Sequence, residues 1–138
     1  MPKSLSRKDN HRKSLLRNLA TSLILYEEIK TTRAKAKEVL PIVEHLIVIA
    51  KKNSLAARRL LLGYLYDENA EKKVFEVLVP RYQKIQSGFI KLYNIGTRLG
   101  DNAQMVILKL APGKIIETPS PEIKSKEKVK DGKEKTKK

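Results

Sequence analysis

The sequence predicts an α+β fold: about four helices packed with a small sheet that includes a C-terminal β-hairpin, between a basic N-terminal arm and a disordered C-terminal tail. Three observations carry this. From His11 to Leu78, apolar residues recur at the three-and-four spacing of a buried helical stripe. After Gly88 that period is lost, and two runs of strand-like composition enclose a turn. Helices that precede the sheet, rather than alternate with its strands, favour an α+β domain over a βαβ one.

The first helix is read from about His11 to Tyr26, with Leu15, Leu16, Leu19, Ala20, Leu23 and Ile24 as its stripe. Asp9 or Asn10 stands where a side chain can cap it. Glu28-Ile29-Lys30-Thr31-Thr32 is short and rich in β-branched residues, so it reads as a strand that ends on Thr32, the cap of the second helix. That helix spans about Arg33 to Lys52, buries Ala36, Val39, Leu40, Val43, Leu46, Ile47 and Ala50, and contains Pro41. Proline removes a backbone donor and crowds the preceding turn, so a kink or a broken start is expected there. Ser54 caps a third helix to about Leu65. A fourth, about Ala70 to Leu78, presents Val74, Phe75 and Leu78 before Pro80 stops it. Phe89–Ile95 and Met105–Leu110 then form the hairpin, joined through Gly100-Asp101-Asn102-Ala103, residue types that favour turns and tolerate positive φ.

Of 138 residues, 30 are Lys or Arg and 15 are Asp or Glu, giving a formal charge of +15. Such a surface attracts polyanions, because each neutralised phosphate releases condensed counterions. Residues 1–60 hold 14 basic and 5 acidic side chains, so the charge is gathered in the first half. With no cysteine and only His11 and His45, disulfides and thiolate metal sites are excluded, and no cofactor is expected. No apolar run reaches the roughly 20 residues of a bilayer span, and no secretory leader is visible, so a soluble, cytoplasmic protein is expected. Residues 1–10 are read as the basic arm, 11–111 as the domain and 112–138 as a Lys-rich disordered tail, too poor in apolar residues to offset the entropy of ordering.

Lys3, Arg7, Lys8, His11, Arg12, Lys13 and Arg17 form the main candidate site, opposed only by Asp9. Cations this dense repel one another without a counter-charge, and an arm of this kind orders between phosphates. Thr31, Thr32, Arg33, Lys35 and Lys37 stand at a helix start, where free N–H groups and the dipole favour an anion. Arg58 and Arg59 add charge, but neighbours on a helix point about 100° apart and do not share one phosphate. Tyr64, Tyr66, Tyr82 and Tyr93 form no base-stacking cluster and are read as core or rim packing; His45 is read as a surface or packed residue. Nucleophile–base pairs, paired catalytic carboxylates and phosphate-cradling loops are absent, and Glu27-Glu28 reads as solvated or capping charge, so a non-enzyme is expected.

The run His11-Arg12-Lys13-Ser14-Leu15-Leu16-Arg17-Asn18-Leu19-Ala20-Thr21-Ser22-Leu23 closely resembles the first-helix signature of the bacterial large-subunit ribosomal protein seventeen family. The resemblance continues in order through Glu28–Thr32, Lys35-Ala36-Lys37-Glu38, Glu44–Ile47 with Ala50-Lys51, Arg58-Arg59 and Gly100–Met105, covering about residues 11–110. It implies a structural constituent of the large ribosomal subunit, bound to ribosomal RNA near the outer end of the peptide exit tunnel beside other ribosomal proteins. His11, Arg12, Arg17, Asn18, Lys30, Thr31, Thr32, Lys35 and Lys37 would then contact the RNA or support contacts, and Asp101-Asn102 would shape the hairpin tip. The family usually opens on a longer stretch beginning Met-Arg-His-Arg-Lys and usually has a basic or other helix-compatible residue at the position of Pro41; this sequence departs at both places. A DNA-binding nucleoid protein explains the charge equally well but lacks a helix-turn-helix, zipper or zinc-finger pattern. A membrane-surface protein anchored by its tail is a further alternative.

Overall fold

The computed structural model describes residues 5–112. Helix α1, Asp9–Tyr26, leads into strand β1, Glu28–Thr32, and directly into α2, Arg33–Ala50. Helix α3 spans Leu55–Tyr64 and α4 spans Glu68–Lys73. A π-helical turn, Val74–Leu78, joins α4 to α5, Val79–Tyr82, so these three segments form one composite fourth helix. Strands β2, Ile90–Thr97, and β3, Gln104–Leu110, complete an antiparallel sheet of order β1-β3-β2. The expected α+β architecture is therefore present, with β1 paired to the hairpin through its second strand.

Alternation along β3 decides which face the helices cover. Val106, Leu108 and Leu110 are buried, whereas Lys109 between them is exposed. Helices α1 and α2 pack on the buried side, where Leu16, Ala20, Leu23 and Ile24 meet Val39, Val43, Leu46 and Ile47. These are the stripes that the periodicity marked. Tyr82 is wholly buried, donates its hydroxyl to the Ala111 carbonyl at 2.6 Å and packs on Phe89, tying the composite helix to the end of the sheet.

Four local expectations change. Pro41 does not break or truncate the start of α2, which runs from Arg33 to Ala50 as one helix. Pro41 is exposed, so the Lys37 carbonyl deprived of a donor lies on a solvent side where water can replace the bond. Pro80 does not stop the fourth helix either. The π turn ahead of it lets the helix restart with proline in the first turn of α5, where a missing N–H costs little. Neither Asp9 nor Asn10 caps α1: the helix starts at Asp9 behind Lys8, without a side-chain cap. Thr32 occupies the cap position of α2 but makes no side-chain cap bond, whereas Ser Oγ of residue 54 does accept from the Ala57 N–H, at 3.1 Å.

Candidate nucleic-acid interface

Two depressions lie along one face of α2. A cleft of about 570 Å³ opens between the start of α2 and the hairpin tip, lined by Thr32, Arg33, Lys35, Lys37, Arg98 and Gln104 among others. A groove of about 400 Å³ opens between α1, α2 and the end of α3, lined by Arg12, Lys13, Arg17, Glu38, Pro41 and Tyr64 among others. Ala34 and Lys37 belong to the cleft, Glu38 and Pro41 to the groove. Their spacing, i, i+3, i+4, i+7, places all four on one stripe of the helix. The two depressions are thus consecutive along α2 and join its basic start to the basic half of α1.

The cleft is built by turn chemistry. Gly100 and Asn102 take positive φ, and the Asp101 carboxylate accepts from the Ala103 N–H while gripping the Arg98 guanidinium at 3.1 and 2.5 Å. Arg98 chiefly, with the Ala103 N–H, holds the Asp101 carboxyl down at about 2. Arg33 donates to Gln104 Oε1 at 3.0 Å, which ties the start of α2 to the base of the hairpin. The first-turn N–H groups of α2 have no partner within the helix, and Thr32 makes no side-chain cap bond to them. Arg33, Lys35 and Lys37 have no ion-pair partner among the described residues. The site therefore presents cations and helix-start donors together, the combination that favours an anion.

Along the groove, Arg17 is held over the rings of Tyr64 and Tyr66, at 5.2 and 5.8 Å from their centroids. Hydrogen bonds from Ser14 and then Arg17 lower the Tyr66 hydroxyl below its ordinary pKa, while burial raises that of Tyr64. These tyrosines act as a mount for a cation, a role that their sequence positions did not reveal. Arg12 and Lys13 both reach Asp9, at 2.6 and 2.7 Å, so the acid in the first turn steadies them; Lys13 first and Arg12 second depress its pKa.

The sequence-marked residues divide as follows. Arg12, Lys13, Arg17, Thr32, Lys35 and Lys37 come together along α2. Arg7, Lys8, His11 and Asn18 are exposed on or just before α1. Lys3 lies outside the described residues, as do the rest of positions 1–4 of the arm and residues 113–138 of the tail. Thr31 is only 7% exposed and faces the core, which leaves it a supporting part; Lys30 stands on the opposite, outer face of the sheet. Arg58 lies over the Phe75 ring at 4.5 Å and 4.0 Å from Glu71 but stays exposed, and Arg59 beside it is exposed as well. Arg98 was missed; its i,i+3 pairing with Asp101 was the available signal, but its closeness to α2 depends on tertiary structure. Glu27 is more than a solvated charge: it caps α1 at φ 60° and binds Arg81 and Lys73. Among the described residues no group of His, Asp or Glu gathers that could hold a metal, and no helix is long and apolar enough to cross a membrane.

Fold and site together define a small basic α+β protein with an extended cationic surface. Comparison with known families narrows the class: the family described as Ribosomal protein L17 matches residues 15–111. The protein named large ribosomal subunit protein bL17 from Desulforamulus reducens is 47% identical over 100 residues, covering 72% of this chain and 89% of that protein. Its namesake in Natranaerobius thermophilus is 47% identical over 108 residues, 78% of this chain and 96% of the relative. That of Endomicrobium trichonymphae is 48% identical over 101 residues, 73% and 86% of the two chains. The chain belongs to the ribosomal protein L17 family.

Proposed function

We propose that this protein is a structural, non-catalytic constituent of the large ribosomal subunit that binds ribosomal RNA near the peptide exit tunnel, beside other large-subunit proteins, on cytoplasmic ribosomes. The observation that carries the reading is the basic start of α2, where Arg33, Lys35 and Lys37 line the cleft without carboxylate partners among the described residues, and from which the helix leads to the groove of Arg12, Lys13 and Arg17. Arg7, Lys8, His11, Asn18, Arg58 and Arg59 extend the cationic or donor surface, Arg7 and Lys8 from the segment ahead of α1. Phosphates are bound by many weak contacts, so affinity is high in sum and falls steeply with salt. The rigid hairpin and the packed helices hold these contacts in one geometry, which suits recognition of RNA shape.

Sucrose-gradient sedimentation of a cell lysate at low ionic strength tests this. The protein is expected in the large-subunit and whole-ribosome fractions, and to leave them as salt is raised. Sedimentation as a free small protein at low salt overturns the proposal. Cross-links from the bound protein to RNA remote from the tunnel exit overturn its location alone.

A further inference from the structure

The outer face of the sheet departs from what a solvated face requires. An antiparallel sheet covered on one side ordinarily shows water a polar surface on the other. Here the register aligns Lys30, Ile107 and Tyr93 in one cross-strand row, and Glu28, Lys109 and Lys91 in the next. The neighbouring row of Ile29, Leu108 and Leu92 faces the helices, so Tyr93 and Ile107 point outward. Tyr93 is 49% exposed although it carries a large ring, and no described element covers it. A shallow depression of about 360 Å³ lies over Tyr93 and Ile107, edged by Lys91, Lys109 and Pro112.

Charge decides what fits. The Glu28 carboxylate is taken by Lys109, whose Nζ stands 3.0 Å away. Lys30 and Lys91 have no ion-pair partner among the described residues. Lys91 is two residues from Tyr93 along β2, about 7 Å, and Lys30 is two strands across, about 10 Å. A ring lying on an aliphatic floor, with unpaired cations on two sides, matches a nucleotide: a flat base for the ring and phosphates before and after it. A protein partner of apolar chemistry would leave both ammonium groups without a counter-charge.

We propose that this face is a second RNA contact, at which one unpaired base of ribosomal RNA stacks on Tyr93 while Lys30 and Lys91 take the flanking phosphates. The inference rests on the ribosomal-RNA reading above and adds to it a specific chemistry, since bases within an A-form helix offer no open face and the target must be a loop, bulge or splayed nucleotide. It also gives Lys30 a function that its distance from the α2 face denies it there.

The test uses the full chain and deproteinised large-subunit RNA, by filter binding and by photo-cross-linking of RNA carrying 4-thiouridine. Tyr93→Ala is expected to weaken binding about tenfold, because stacking is lost with the ring. Tyr93→Phe, which keeps the ring, is expected to bind within about twofold of the parent. The parent's cross-links should include a uridine adduct within β2 that Tyr93→Ala lacks. Unchanged affinity in Tyr93→Ala, or an equal loss in Tyr93→Phe, overturns the stacking proposal while leaving the helical interface intact. Unchanged RNA affinity with poorer retention on large subunits assigns the face to a protein neighbour and also overturns it. Failure of the parent to bind the RNA removes the underlying reading itself.

Discussion

The two ends of β1 show cations used in opposite ways. At its entrance, Glu27 accepts from both Arg81 nitrogens at 2.6 and 3.2 Å and from Lys73 at 2.9 Å, while Lys73 also donates to the Leu25 carbonyl at the end of α1. Each charge there has its partner within the chain, and the cluster closes α1 against the composite helix. At the exit of β1, five residues later, Arg33, Lys35 and Lys37 crowd the start of α2 with no carboxylate drawn to them among the described residues. Folding alone gains nothing from cations placed at the positive end of a helix dipole, where they raise its energy. The difference separates cations that build the fold, which bring an acid with them, from cations whose counter-charge comes from another molecule.

The largest expected effect breaks the second class. Replacing Arg33, Lys35 and Lys37 together with Ala should lower affinity for large-subunit RNA on the order of 10²-fold at physiological salt, and flatten the dependence of log K on log salt by two to three phosphate contacts, by about 0.7–0.9 each. Thermal stability, followed by circular dichroism, should hold or rise slightly, since a dipole conflict is removed. A matching fall in stability would place these residues in the structural class and erase the contrast.

The complementary change sharpens the first class. Glu27→Gln should destabilise the protein by about 1–2 kcal/mol near neutral pH, a value reduced by screening because the side chain is a third exposed. RNA affinity at a temperature where the variant is folded should not change. The pH dependence has a definite sign. Arg81 first, with help from Lys73, holds the Glu27 carboxyl down at about 2 against an ordinary 4.5, so the folded state binds its proton less readily than the unfolded chain. The stabilisation is complete above about 4.5 and is lost as pH falls toward about 2. Denaturant melts of parent and variant should differ most near pH 6 and converge only as pH falls toward about 2. A constant gap across that range would mean that shape, not charge, is what Glu27 contributes.

These contrasts also mark how far the sequence could be read. The stripes of α1 and α2, the Ser54 cap of α3, the strand Glu28–Thr32 and the hairpin about Gly100 were legible because each is a local period, a cap or a turn signature. The Glu27–Arg81 pair was not, since its partners are 54 residues apart and Glu27 looks like any exposed acid until α1 and α5 are packed. Proline was over-read twice: at Pro41 because an exposed carbonyl can turn to water, and at Pro80 because a π turn resets the helix before it. In the site, the basic character of α1 and of the α2 start was visible as charge density. Their union along Ala34, Lys37, Glu38 and Pro41 required the helix pairing, and the arrival of Arg98 required the hairpin to fold back on α2. Tyr93 was read as packing because a lone tyrosine carries no signal; only the strand order β1-β3-β2 sets it between lysines.

Arg98 is the residue that fits neither class cleanly, and it supplies the smallest and most discriminating test. It lines the cleft, yet it is bound by Asp101 three residues on, as a structural cation would be. Asp101→Asn retains an acceptor for the Ala103 N–H, so the turn persists, while one negative charge leaves the cleft and the guanidinium is released. If Arg98 meets the RNA as a mobile point charge, affinity for large-subunit RNA should rise about twofold and the salt dependence should steepen slightly, as expected for removing a single screened repulsion several ångströms from a phosphate. Asp101→Ala separates charge from shape: it removes the acceptor too, and should bind more weakly than Asp101→Asn because the tip loses its Asx turn. A fall in affinity for Asp101→Asn itself would show that the carboxylate orients the planar guanidinium for RNA. In that case, possession of an internal acid would no longer suffice to exclude a cation from the interface, and Arg12 and Lys13, both held by Asp9, would be interface residues on the same footing.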